Sequence, residues 1–222
     1  MSEGSTLRAD FEALAEIGRS PEGGWSRPAF GEEDRRAHEW FIGRAIKAGL
    51  SVRTDAIGNV IARLEGRPGM PAVAIGSHLD TVLSGGAFDG AIGVLAGLEV
   101  ARRIRGGKRD CPVPIEVIAF RDEEGHYGAF NGSRAMMGEL PAEEIDRRRS
   151  VDGTTLTAAL RGAGFDPETV AKARRDPSEF AVFLELHIEQ GAVLEKAGLD
   201  LGIVTSIVGQ ERMSVRFTGA AD

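Results

Sequence analysis

PAVAIGSHLDTV, residues 71–82, runs from an almost wholly apolar stretch into Gly, Ser and His. An apolar run without polar alternation fits a strand covered on both faces. IEVIAF (115–120) and FAVFLELHI (180–188) repeat the pattern. Residues 7–18 and 31–49 place apolar side chains at helical spacing, with a Gly/Pro-rich link between them, and residues 90–104 do the same. Shorter β-branched runs lie at 50–53 and 59–64. Three short helical patches, the last around 167–174, fill the interval before the third buried run, with Asp152, Gly153, Gly162 and Gly164 as turn residues between them. The alternation predicts an α/β fold, a mixed, mostly parallel sheet with helices on both faces.

The 222 residues carry 27 Lys plus Arg against 34 Asp plus Glu, a formal charge of −7 that repels a phosphate backbone and argues against a nucleic-acid partner. No apolar run approaches the roughly 18 residues of a membrane span, and residues 1–10 are polar, so no membrane partner and a cytoplasmic location are expected. The single cysteine, Cys111, excludes an internal disulfide framework and a Cys-rich zinc site. Beside Pro112, with nothing near it to activate a thiolate, it is not read as catalytic.

Two of the four histidines stand at the ends of buried-strand patterns. His78 closes PAVAIGSH, His187 lies at the end of FAVFLELH, and Glu123 and Glu124 follow IEVIAFRD. Side chains at the carboxyl ends of several strands of an open α/β sheet converge on one region, where such folds bind ligands. Asp89, in GGAFDG at a helix start, reads either as an N-cap or as a further ligand. Imidazole with carboxylate suits zinc, manganese, cobalt or nickel, and the lack of thiolates points to a catalytic rather than a structural site. Asp80, two residues past His78, reads as the group that takes the other ring N–H, or as a solvated turn residue. Of the adjacent glutamates, one can bind metal while the other moves protons, although such a pair by itself is ordinary charged surface. Gln190 and Gln210 are candidates for substrate contact or for satisfying nearby backbone. His38, inside AHEWFIGRAI, reads as structural.

GSHLDTV, GGAFDGAIGVLAGLEV, DEEG, GSRAMMG, ELHIEQGAVLE and LGIVTSIVG, in this order, resemble the hydantoinase/carbamoylase family of the aminoacylase and zinc-exopeptidase superfamily, which includes N-carbamoyl-L-amino-acid hydrolases, β-ureidopropionases and allantoate amidohydrolases. The resemblance spans essentially the whole chain. It implies a two-metal amidohydrolase that cleaves a carbamoyl or ureido C–N bond of a small-molecule substrate and is a homodimer at full length. By motif, His78, Asp89 and His187 hold one of two divalent ions, Asp89 bridges to a second held also by Glu124, and Glu123 is the general base. The family's further metal-binding histidine, far toward the C-terminus, has no counterpart here. EEGHYGAFNGSR departs from the family's pattern and is about two residues shorter, so His126 and Tyr127 receive no role by transfer. His187 stands where the superfamily's aminopeptidases and N-acyl amino-acid deacylases carry Asp or Glu, which favours the carbamoylase branch over them.

After Gly209 the pattern changes to ERMSVRFTG, an alternating strand, and the sequence stops at Asp222 in mid-pattern. The expectation is a metal-binding catalytic domain over 1–209, incomplete at its C-terminal side, with 210–222 the first strand of a truncated α+β lid or dimerisation domain. An inactive fragment of such an enzyme is the remaining alternative.

Overall fold

The computed structural model describes residues 5–107, 111–207, 209, 213 and 215–219. These form two units, residues 1–188 and residues 189–222. The first unit holds a five-stranded sheet in the order β1-β2-β4-β3-β5, from β1 (Ser51–Thr54), β2 (Val60–Leu64), β3 (Ala72–His78), β4 (Ile115–Phe120) and β5 (Phe180–Leu184). The sheet is mixed. β3 runs parallel to β4 and to β5, while the β1·β2 and β2·β4 pairs are antiparallel. Parallel and antiparallel pairings are therefore equal in number. The β1–β2 link is too short for a crossover. Asp55 shapes that link by accepting the backbone N–H groups of Ile57, Gly58 and Asn59.

One face of the sheet is covered by α1 (Ser5–Leu14), α2 (Glu32–Lys47) and α3 (Ala91–Gly106). Leu14, Phe41, Leu95 and Leu98 meet Val60, Ala62, Val117 and Ala119 there, each at most 1% exposed. Burying each Leu, Phe or Val among them contributes about 1.5–3 kcal/mol. On the opposite face, Met136 of α4 (Asn131–Met137) packs with Ile61, Ala74 and Ile118. A third cluster joins Tyr127, Leu140, Ile145, Leu156, Leu160 and Val170, from the loops around α4, from α5 (Ala142–Arg147) and α6 (Leu156–Gly162), and from a 3-10 helix at Pro167–Ala173. Helices thus lie on both faces, as the sequence predicts. The patch expected around 167–174 is 3-10 rather than α-helical, with Pro167 at its first turn and the Asp166 side chain capping Glu168.

The second unit contains a short helix, α7 (Val193–Ala197), whose first turn is capped by Glu189 Oε1, accepting from Val193 at 2.5 Å and Leu194 at 3.0 Å. Of the strand expected in ERMSVRFTG, Met213 and residues 215–219 lie in no strand, and Glu211, Arg212 and Ser214 fall outside the described residues. Among the described residues no helix is long and apolar enough to cross a membrane.

Candidate metal centre

Because β4, β3 and β5 run parallel, their carboxyl ends share one edge of the sheet. His78 is the last residue of β3 and 1% exposed. Its Nδ1 lies 2.9 Å from the backbone oxygen of Asp80. A hydrogen there fixes the tautomer, so Nε2 presents its lone pair 3.9 Å from Asp89 Oδ1 and 3.3 Å from Glu123 Oε2. Past the end of β5, His187 repeats the arrangement. Its Nδ1 is 2.7 Å from the Ile188 oxygen, and its Nε2 is 3.1 Å from Asp89 Oδ1. Ligand atoms of His78, Asp89 and His187 all lie within 4.8 Å of one another.

Asp89 precedes Gly90, the N-cap of α3. Gly90 has φ +64, and a Cβ there would sit 2.5 Å from the His78 ring, so both the left-handed turn and the ring's position require glycine. After β4, Asp122 adopts φ 54, an uncommon value for a residue with a side chain. It is held by Asn131 Nδ2, which donates to its carboxylate at 2.5 Å, and by Asn131 N–H, which donates to its carbonyl at 3.1 Å. That turn carries Glu123 beside His78. Burial raises the Glu123 carboxyl to about 7; His78 opposes the rise, while Asp80 and Glu124 add to it.

The carboxylate of Asp80 does not take the ring hydrogen of His78; Oδ1 is 3.7 Å from Nδ1, and the residue's own carbonyl serves instead. Two residues beyond the histidine, the turn brings that carbonyl closer than the side chain. Asp80 Oδ2 accepts the N–H of Glu124 at 3.1 Å and so ties the end of β3 to the loop after β4. Burial, then Asp34 and Asp122, hold its carboxyl well above the usual range. Glu124 joins the site by this backbone contact, and its carboxylate is not part of the three-residue group. Gln190 belongs to the second unit, with φ 54, and Gln210 falls outside the described residues. His126 packs edge-on against Tyr127, ring centroids 4.9 Å apart, while His38 is buried with Nδ1 2.9 Å from the Asp34 oxygen. Cys111 is a free thiol donating to Val113 O. Beside Glu123, an apolar cavity of about 480 Å³ is lined by Phe120, Phe130, Met136, Phe180 and Phe183.

A divalent cation fits these donors. With both Nδ1 hydrogens committed to carbonyls, two imidazole lone pairs face carboxylate oxygens, acceptor against acceptor, and a cation resolves that opposition. Sequence reasoning did not find the buried charges around this edge, Arg27, Asp34 and Arg121, because isolated charged residues without periodic context read as surface.

Residues 59–155 match the Peptidase family M28. The chain is 44% identical over 225 residues to an N-carbamoyl-L-amino acid amidohydrolase of Geobacillus stearothermophilus, covering 100% of this chain and 55% of the relative. It is 36% identical to the allantoate amidohydrolase of Bacillus subtilis (strain 168), covering 94% of this chain and 51% of that protein. In fold it is similar to a hydantoinase/carbamoylase family amidase from Burkholderia ambifaria, with a TM-score of 0.80, 38% identity, and 88% of this chain and 48% of that one covered. The chain spans about half the length of the relatives it matches. By sequence over its whole length and by fold, the chain is similar to the hydantoinase/carbamoylase amidases across about half of their length.

Proposed function

We propose that this chain forms the metal-binding part of an amidohydrolase that cleaves the carbamoyl or ureido C–N bond of an N-carbamoyl amino acid or of allantoate. The observation that carries the reading is the meeting of His78, Asp89 and His187 at one sheet edge with Glu123 Oε2 3.3 Å from His78 Nε2. The three residues would hold one divalent ion such as zinc, manganese, cobalt or nickel; Asp89 and Glu124 would take part in holding a second. Bound cations would polarise the carbamoyl carbonyl and acidify water.

The protein's own contribution is proton transfer and positioning. Glu123, with its carboxyl raised to about 7, accepts a proton from the attacking water as the new C–O bond forms. It returns that proton to the departing nitrogen as the C–N bond breaks, so its charge is restored at each turnover. Ammonia, carbon dioxide and the amino acid are the products for an N-carbamoyl amino acid. Asp80 keeps the Glu123–Glu124 backbone in place through its bond to Glu124 N–H.

Metal content and ammonia release test the reading, on the 222-residue chain and on a chimera in which it replaces the matching 225-residue stretch of the Geobacillus relative. The chain by itself should hold about one divalent ion and release little ammonia, since Asp89 and Glu124 make a weak second site without a further imidazole. The chimera should release ammonia from N-carbamoyl amino acids or allantoate. In it, Glu123→Gln should lower the rate by about 100-fold or more at unchanged metal content, and Glu124→Gln should lose metal. A metal-loaded chimera that leaves every carbamoyl and ureido substrate intact would overturn the proposal, as would equal behaviour of the two glutamine variants.

A further inference from the structure

Among the described residues Arg27 is the largest fully buried side chain, 1% exposed, and the proton transfer does not involve it. It sits in WSRP, residues 25–28, between α1 and α2, and reaches across to the loop that follows β3. Nε donates to Leu79 O at 2.7 Å and Nη1 to Ile17 O at 3.1 Å. Its backbone N–H donates to Thr81 Oγ1 at 2.9 Å, and its carbonyl accepts Thr81 N–H at 3.1 Å. Thr81 Oγ1 donates in turn to Trp25 O at 3.1 Å. Both neighbours of Asp80 are therefore strapped to Arg27, and the carbonyl between them is the one that accepts the His78 ring hydrogen.

The space for this strap is built into the chain. At Gly18, φ +74, a Cβ would lie 2.7 Å from Arg27 Cγ. A site that needed volume without hydrogen bonds would be filled by Leu or Met without the cost of burying a guanidinium. Burial lowers the Arg27 pKa, and the Asp34, Asp80 and Glu33 carboxylates oppose that lowering.

We propose that Arg27 is a positioning residue for the metal centre, holding residues 79–81 so that the Asp80 carbonyl keeps His78 in the tautomer and orientation that offer Nε2. The proposal rests on the reading of His78 as a ligand. Lysine cannot reproduce it in full, because only the planar guanidinium fork reaches two carbonyls in different directions.

The test uses the whole 222-residue chain. Nitrogen NMR of the metal-free protein above neutral pH reports the His78 tautomer, and visible absorption during cobalt(II) titration reports affinity and coordination. Wild type should show the Nδ1–H form. Arg27→Met should give a mixture of tautomers, altered cobalt bands and affinity about 10- to 100-fold weaker. Arg27→Lys should shift both readouts in the same direction by less. Leu98→Ala, which removes a fully buried side chain of the helical core, should lower stability but leave tautomer and cobalt spectrum as in wild type. An Arg27→Met protein with the wild-type tautomer and affinity within about twofold would overturn the proposal, as would a Leu98→Ala protein shifted as far as Arg27→Met. If Arg27→Met does not fold, the lysine variant decides on the same criteria. Wild-type protein that binds no cobalt would overturn the metal reading instead, while the tautomer measurement would still judge Arg27.

Discussion

Asp122 shows how much one residue can be asked to do at the site. Its left-handed backbone turns the chain so that Glu123 meets His78, and its carboxylate is buried beneath that turn with Asn131 as the closest partner. Conformations of this kind cost about 1–3 kcal/mol and persist where the surroundings fix them. Burial raises the Asp122 carboxyl to about 6, with the bond from Asn131 opposing the rise. Its folded pKa is thus above the unfolded value of about 3.9, so its contribution to stability is complete below that value and is lost as pH rises through about 6. The loss amounts to about 3 kcal/mol, because the unfolded chain releases the proton first. In metal-free protein, urea unfolding of Asp122→Asn should therefore lose about 2 kcal/mol less than wild type between about pH 4 and about pH 7, the rest of the loss falling below about pH 4. Parallel stability profiles for the two proteins would show that Asp122 is already ionised throughout that range.

At the scale of elements, the parts that were legible in the sequence are those governed by periodicity. IEVIAF is β4 over the predicted residues, and His78, which closes the PAVAIGSH pattern, closes β3. Strand-end positions also announced His187 and Glu123, since parallel strands deliver their last residues to one edge. The apolar pattern FAVFLELHI is longer than the strand it forms. β5 stops at Leu184, and four of its five residues are exposed, because it pairs with β3 and has no second neighbour in the sheet among the described residues. An apolar run signals a strand's tendency to be covered, and the sheet order decides whether it is. What stayed illegible were long-range polar ties: Asn59 bonded to Gly132 O and to Arg121 N–H, and Asp34 of α2 paired with Arg121 after β4. Asp34 is fully buried; burial pushes its carboxyl up, and Arg121 and His38 outweigh that and hold it below the usual range. Arg121→Met leaves this carboxylate buried without its guanidinium and should cost about 3–5 kcal/mol. Adding Asp34→Asn should cost much less than the sum of the single changes, since the stranded charge is then gone. Additive losses in a double-mutant cycle of urea unfolding would mean that the ion pair is not the connection between α2 and β4.

For the sheet-bearing unit as a whole, the two edges of the sheet differ in chemistry. β1, Ser-Val-Arg-Thr, is short and mostly exposed, the kind of polar edge that discourages pairing with another chain. β5, Phe-Ala-Val-Phe-Leu, leaves Val182 42%, Phe183 43% and Leu184 51% exposed beside the apolar cavity that Phe120 and Phe180 line. An apolar edge strand with open backbone donors and acceptors is a template for a further strand. The 222-residue chain should therefore self-associate as its concentration rises, and β5 should be the contact. Leu184→Lys places a charge on that edge while removing a side chain that is only half buried, so it should suppress association and change unfolding stability by no more than about 1 kcal/mol. Ser51→Lys makes the same charge change on β1 and should leave association as it is. Sedimentation velocity across a concentration series separates the outcomes: association that survives Leu184→Lys unchanged, or that Ser51→Lys suppresses equally, would place the contact elsewhere than β5.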